Sequence, residues 1–332
     1  MRTTTLGSSG VAVTEVGFGA APIGNLFTPV GDDAARAAVD AAWDAGVRYF
    51  DTAPHYGLGL SERRLGAALR DRPRAGYTVS TKVGRLLEPG GPGGDDLENG
   101  FAVPARLRRV WDFSADGVRR SIEASLERLG LDHVDLVYLH DPDDHAEEAF
   151  GQGYPALERL RSEGVVRAIG AGMNQTSMLA RFLRDTDVDV VLMAGRYTLL
   201  EQEGLAEVLP LAASRGASVV VGGAFNSGLL IDPGEDATYD YAPAPEPVLA
   251  RARRLRSVTG RHGVPLRAAA LRFPAAHPAV ASTLVGLRSA DEARDTAALL
   301  RLPLPAPMWA DLRSEGLLGA DVPVPDDDDE AS

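Results

Sequence analysis

Four side chains in the first half of the chain have the chemistry to move a proton and steady a reacting oxygen. Asp51 and Tyr56 stand close together in DTAPHYGLGLSE, Lys82 closes the run YTVSTK, and His140 closes VDLVYLH. A phenol titrates near ~10 and exchanges protons poorly at neutral pH. A neighbouring ammonium favours the phenolate and brings that exchange within reach. A carboxylate such as Asp51 would keep the ammonium charged and aimed, and His140 would hydrogen-bond the oxygen that reacts. Lys82 is also the single lysine among 34 lysine and arginine residues. A compact point charge with freely turning donors suits that task, whereas a planar guanidinium is bulkier and prefers forked carboxylates or phosphates. Each residue has a plainer reading when taken alone. Asp51 could cap a turn, His140 could fill a core, Tyr56 could pack, and Lys82 could be a surface charge.

Position decides between these readings. Eight short apolar runs read as strands: VGFGA (16–20), VRYFDTA (47–53), YTVSTK (77–82), VDLVYLH (134–140), VRAIGAG (166–172), VDVVLMAG (188–195), ASVVVGG (217–223) and ASTLVG (281–286). Each precedes an amphipathic stretch with apolar residues at helical spacing, most with an N-capping Ser or Asp and several ending in glycine. Eight βα units in this length predict an α/β fold of the (β/α)8 TIM barrel type, and "TTL" and "VAVTEV" around "GSSG" predict an N-terminal β-hairpin ahead of it. Catalytic groups of such barrels sit at the carboxyl ends of the strands. Asp51, Lys82 and His140 fall there on three consecutive strands, and Asn174 follows the fifth. A doubly wound nucleotide fold is the rival, but "GFGAAP" and "GAGMNQ" both lack the third glycine of a dinucleotide turn. The glycine- and proline-rich stretch 85–113 reads as an irregular excursion, either a mobile lid over the active face or a tolerated surface loop. A single domain is expected over 1–320, with an acidic, disordered tail over 321–332.

Composition removes several function classes. With 45% hydrophobic and 24% charged residues the chain is that of a soluble globular protein. There is no cysteine, so disulfides, thiolate metal sites and a cysteine nucleophile are excluded. The net charge of −13 argues against a nucleic-acid partner. No apolar run approaches the ~18 residues of a membrane span, and the opening MRTTTLGSSG has no apolar core of a secretory signal, so a cytoplasmic protein is expected. The six histidines show no paired metal-ligand spacing, so no metal is expected. The partner left is a small molecule; the number of subunits is open.

The motifs "DTAPHYGLGLSE", "STKVG", "YLHDPD", "GAGMNQ" and "LVGLRSADEA" resemble, in order and over almost the whole chain, the aldo-keto reductase superfamily. "AGRYTLLEQ" and "GGAFNSGLL" resemble its sugar-oxidising branch in particular, although pyridoxal-oxidising members share much of the wording. The resemblance implies an enzyme that binds NAD, with NADP as the alternative, across the carboxyl face of the barrel. It implies Tyr56 as general acid/base, assisted by Lys82 and Asp51, with His140 orienting a sugar or aldehyde substrate. It implies Asn174 as partner of the nicotinamide carboxamide, with Met173 in place of a frequent serine. Gly222 falls where a ring-stacking tyrosine is usual. Ser227, Gly228 and Leu229 keep the pattern of a loop over the pyrophosphate, and Gly286, Arg288 and Glu292 that of the stretch reading the adenosine ribose. Glu292 stands where strongly NADP-selective relatives carry arginine, so NAD is expected to be preferred, modestly, given Arg288 and Arg294 nearby. The activities implied are oxidation of an aldose at its anomeric carbon, or oxidation of pyridoxal or general aldehyde/ketone reduction by the same residues. A non-catalytic, cofactor-sensing subunit is the alternative of another kind, and the intact set of four argues against it.

Overall fold

The computed structural model describes residues 1–240 and 242–325. In chain order the strands are β1 (Thr3–Thr5), β2 (Ala12–Thr14), β3 (Val16–Gly19), β4 (Tyr49–Asp51), β5 (Thr78–Val83), β6 (Arg85–Pro89), β7 (Leu107–Trp111), β8 (Leu136–His140), β9 (Ala168–Met173), β10 (Val190–Ala194), β11 (Ser218–Gly222), β12 (Thr238–Tyr239), β13 (Ala242–Pro243) and β14 (Val280–Gly286). Eight of them, β10-β11-β14-β3-β4-β5-β8-β9 in order around the ring, close into a barrel. These are the eight predicted strands, and the eight predicted helices follow them. Among the described residues, two further helices of more than one turn, Leu266–Arg272 and Ala306–Ser314, and the single turn Ala146–Glu148 were not expected. The first spans only seven residues, too few to display a 3.6-residue period.

Strand alternation sorts the side chains into two layers. Val79 and Val83 of β5, Val137 and Leu139 of β8, and Ile169 and Ala171 of β9 face the helices. Tyr49, Leu136, Tyr138, Val190, Leu192 and Val220 fill the barrel interior. The predicted hairpin forms as β1 and β2, and its Leu6, Val11 and Val13 join that interior cluster. At the amino-terminal end, Asp135 accepts the Val79 N–H (2.9 Å) and pairs with Arg74 (2.6 Å). Asp189 repeats the arrangement with the Ile169 N–H (2.9 Å) and Arg161 (2.8 Å). Each carboxylate thus satisfies a strand-end donor that the ladder leaves open.

Two expectations are corrected. The stretch 85–113 is an ordered element: β6 and β7 pair antiparallel from Arg85↔Trp111 to Pro89↔Leu107. Its far end is tied to the barrel by Phe27 N–H to Gly100 O (2.7 Å) and Ala102 N–H to Asn25 O (2.9 Å). Of the tail expected over 321–332, residues 321–325 are placed against the domain. Val322 is 7% exposed within the main core, and its carbonyl accepts from Arg313 (2.8 Å). Residues 326–332 lie outside the described residues. Among those described, no helix is long and apolar enough to cross a membrane.

Candidate active site

Strand β5 alternates, so Ser80 and Lys82 point into the barrel while Thr81 points out. Lys82 is 2% exposed, and its ammonium uses three donors on Asp51 Oδ2 (2.6 Å), the Thr52 carbonyl (3.0 Å) and Tyr56 Oη (3.1 Å). Burial opposes its charge, but Asp51 and the Tyr56 oxygen outweigh that and hold the ammonium above its ordinary range. Ser80 Oγ donates to Asp51 Oδ1 (2.7 Å). Tyr49 Oη lies 3.1 Å from Ser80 Oγ and 3.2 Å from Tyr138 Oη. Ser80 has spent its proton on Asp51, so Tyr49 must donate to Ser80, and Tyr138 to Tyr49. Burial raises the pKa of both tyrosines, which keeps those protons in place. A row of oriented hydroxyls thus fixes Asp51 from below and ends in the core at the fully buried Tyr138.

The loop carrying Tyr56 is over-determined. Gly57, Leu58 and Gly59 are consecutive left-handed residues at φ +60°, +51° and +79°. A Cβ on Gly57 would lie 2.1 Å from Gly24 O, so only glycine fits this turn. Ser61 ties the loop to β3 through the Ala20 carbonyl (2.7 Å), and its Oγ lies 2.8 Å from Thr52 Oγ1. Glu62 is fully buried and accepts from Thr81 Oγ1 (2.9 Å) and Arg128 Nε (2.5 Å). Of the motif DTAPHYGLGLSE, then, Asp51 and Tyr56 meet Lys82, and the glycines, serine and glutamate hold them there.

His140 ends β8, with its ring centroid 5.9 Å from that of Tyr56. Burial, followed by Arg85, Lys82, His55 and Arg109, drives its pKa well below the usual imidazole range, so it is a neutral hydrogen-bonding group. Arg85 pairs with Asp141 and lies 4.3 Å over the Trp111 ring. The β6–β7 hairpin therefore walls the site: Phe101 packs on Tyr56 (6.1 Å), and Arg85, Trp111, Asp141, Asp143, His145 and Asn174 line a polar cleft beside His140.

The residues proposed for a cofactor are placed unevenly. Asn174 Nδ2 donates to the Ala194 carbonyl (3.1 Å), while its Oδ1 has no protein partner among the described residues. That oxygen fits the N–H of a carboxamide. Gly222 faces the barrel mouth, where a Cβ would meet Leu192 at 3.4 Å, so the shelf at the end of β11 is backbone. Met173, by contrast, is 1% exposed in the layer between β9 and the helices, so the structure does not bring its side chain to the site. Ser227 and Gly228 sit in a turn with φ +57° and +94°. Leu229 is fully buried and offers no side chain to a phosphate. Gly286 ends β14, and just beyond it Glu292 accepts from Arg288 Nε (2.6 Å) and the Arg288 N–H (2.9 Å). Sequence reading missed Ser80, Tyr49 and Tyr138, which look like ordinary strand residues, and also His55 and Arg109. Only inward parity with Lys82 and Asp51 could have marked Ser80.

These two rings carry a pH signature. The pKa of His55 is pushed down to about 2 by burial, Arg85, Arg109 and Lys82, and that of His140 falls in the same direction. In the unfolded chain both rings titrate near ~6.5. Below that value the unfolded chain binds protons that the folded one refuses, so stability is full above it and falls as pH drops. The slope approaches about 1.4 kcal/mol per pH unit for each ring. Urea melts at pH 7.5 and 5.5, both above the ordinary carboxyl range, should show a lower midpoint at 5.5, and His140→Asn should shrink the gap. A gap left unchanged by His140→Asn would mean that the fold does not hold this ring neutral.

A buried ammonium and carboxylate and a half-buried phenol meet at the carboxyl face of a closed parallel barrel, an arrangement suited to a barrel enzyme that moves protons. The sequence profile described as the Aldo/keto reductase family matches residues 15–315, and the chain belongs to that family. It is an oxidoreductase, and enzymes of this family use NAD(P). It is 47% identical to a D-threo-aldose 1-dehydrogenase of Pseudomonas sp, over 94% of this chain and 96% of that protein. It is 41% identical to a pyridoxal 4-dehydrogenase of Microbacterium luteolum, over 94% and 97%. An aldo-keto reductase structure from Bacillus halodurans in its holo form superposes with a TM-score of 0.73 at 28% identity, covering 97% of this chain and 98% of that one.

Proposed function

We propose that the protein oxidises the anomeric hydroxyl of an aldose to a lactone, with NAD as the preferred acceptor. The observation that carries the chemistry is Lys82 Nζ bridging Asp51 Oδ2 and Tyr56 Oη in a nearly dry site. A bound nicotinamide would supply the acceptor for the hydride leaving C1. Tyr56, as phenolate, takes the hydroxyl proton. Lys82 stabilises that phenolate, Asp51 keeps Lys82 charged, and neutral His140 donates to the same substrate oxygen. Asn174, through Oδ1, and the bare backbone at Gly222 would hold the nicotinamide, and the Arg288–Glu292 end would face the adenosine ribose. The sugar is supported by the likeness to the Pseudomonas enzyme and by the polar cleft beside His140, which suits a molecule carrying hydroxyls all round. Purified protein tested with NAD and NADP against L-fucose, L-galactose, D-arabinose and pyridoxal should yield lactone from the sugars. Turnover of pyridoxal alone would replace this reading with pyridoxal oxidation.

The preference for NAD has its own support. A 2′-phosphate is best gripped by free guanidinium forks. Arg288 is held by Glu292 (2.6 Å), and Arg294 lies 3.0 Å from Asp291. Glu292 also belongs to the helix start, since its N–H donates to Ser289 Oγ (3.2 Å). Glu292→Arg would disturb that start, whereas Glu292→Gln preserves the capping geometry and releases Arg288. We expect kcat/KM to favour NAD in the wild type and the ratio to move toward NADP by up to about fivefold in Glu292→Gln, the scale of one exposed charge pair. A wild type that strongly favours NADP would sink this assignment.

A further inference from the structure

His55, the residue before Tyr56, has no part in the chemistry proposed above, yet it is held with unusual care. Arg109 Nε donates to His55 Nδ1 (2.5 Å), and Arg109 Nη2 donates to the His55 carbonyl (2.9 Å). The same guanidinium forks onto Asp96 through Nη1 (2.8 Å) and Nη2 (2.5 Å). The Asp96 side chain is 5% exposed and also takes a hydrogen bond from Asn99 (2.8 Å). Arg109 and Asp96 both come from the β6–β7 hairpin, so that element does more than wall the site.

The arrangement fixes a proton. A guanidinium can only donate, so Nδ1 must be bare and the imidazole hydrogen must sit on Nε2. Nε2 has no hydrogen-bond partner among the described residues, and the residue is half-buried. The ring centroid lies 6.1 Å from that of Tyr56 and 5.7 Å from that of His140, and Phe101 closes its other side at 5.2 Å. Tyr56 and His140 serve the reacting oxygen, and His55 borders both. The ionisable groups around it are Lys82, Arg85, Arg109, Tyr56 and His140, with Asp96 spent on Arg109. Three cations oppose a second proton, so the ring stays a neutral donor.

We propose that His55 is a specificity-determining residue whose Nε2–H binds the substrate hydroxyl on the carbon next to the one oxidised, and that Arg109 and Asp96 are its positioning residues. The proposal rests on the aldose reading. The test compares kcat/KM for L-fucose with that for its 2-deoxy analogue. A site built to hydrogen-bond a hydroxyl rejects the analogue lacking it, so the wild type should favour L-fucose by about tenfold or more. His55→Leu should bring the ratio close to one, and His55→Gln, which keeps an N–H, should restore part of it. Arg109→Met leaves the ring but frees its tautomer. It should lose discrimination and let the Nδ1-protonated tautomer appear in long-range proton–nitrogen NMR, which a merely structural arginine would not do, while burial, Arg85 and Lys82 still keep the ring neutral.

L-fucose turnover with an unchanged ratio in His55→Leu overturns the role of His55 and leaves the aldose reading standing. No sugar turnover by the wild type overturns both. Long-range proton–nitrogen NMR of the imidazoles reads the tautomer without turnover, and a His55 ring protonated on Nδ1 overturns the proposal in either case.

Discussion

Tyr56→Phe is expected to lower kcat with L-fucose and NAD by at least about 10²–10⁴-fold while leaving the fold and NAD binding intact. The size follows from the task, since the phenol oxygen is the proposed seat of the proton. The selectivity follows from the surroundings. Without that oxygen Lys82 keeps Asp51 Oδ2 (2.6 Å) and the Thr52 carbonyl (3.0 Å), so no buried charge is orphaned. The phenyl ring keeps its packing on Phe101 and His140. A net cost near that of one neutral hydrogen bond, about 1 kcal/mol, is all the melting curve should register. Stopped-flow turnover and fluorescence titration with NAD read the two quantities separately. Near-native turnover in Tyr56→Phe would place the proton elsewhere and end the mechanism.

What could be read from the sequence followed from periodicity. The eight barrel strands stand out because each is a short apolar run between helical stretches, and Asp51, Lys82 and His140 were found from their place at successive strand ends. Parity carried further than it was taken. Counting by two from Lys82 marks Ser80 as inward, and counting by two along β9 puts Met173 outward with Ile169 and Ala171. The hairpin at 85–111 defeated the reading for another reason. Its strands are five residues each, and the long glycine- and proline-rich segment joining them has the composition of a loop. The pairing of Leu86 with Val110 is set by the strands' meeting across that segment, which no local window contains. His55 shares this blindness, because its meaning depends on Arg109, 54 residues away.

Lys82→Arg separates the readings of the lone lysine most sharply, because it keeps the charge and changes only the shape. At an exposed site that exchange would alter stability within about ±0.5 kcal/mol and leave the rate alone. Here the side chain is 2% exposed, and its head sits between Asp51, the Thr52 carbonyl and Tyr56 at 2.6–3.1 Å. A guanidinium is wider, planar and carries five N–H groups in a fixed fork, so it cannot meet three acceptors placed for an ammonium. Its forked edge would turn toward the Asp51 carboxylate, where Ser80 already occupies Oδ1 (2.7 Å), and displace the row of hydroxyls behind it. Overpacking of that kind costs about 1–3 kcal/mol. We therefore expect a lower melting temperature and kcat/KM reduced by at least about 10²-fold. NAD binding should persist, since none of the residues assigned to the cofactor touches Lys82. Loss of rate together with loss of NAD binding would indicate a general collapse of the site. An arginine variant with native kinetics would show that the phenol needs only a nearby positive charge, and the compact ammonium would lose its place in the mechanism.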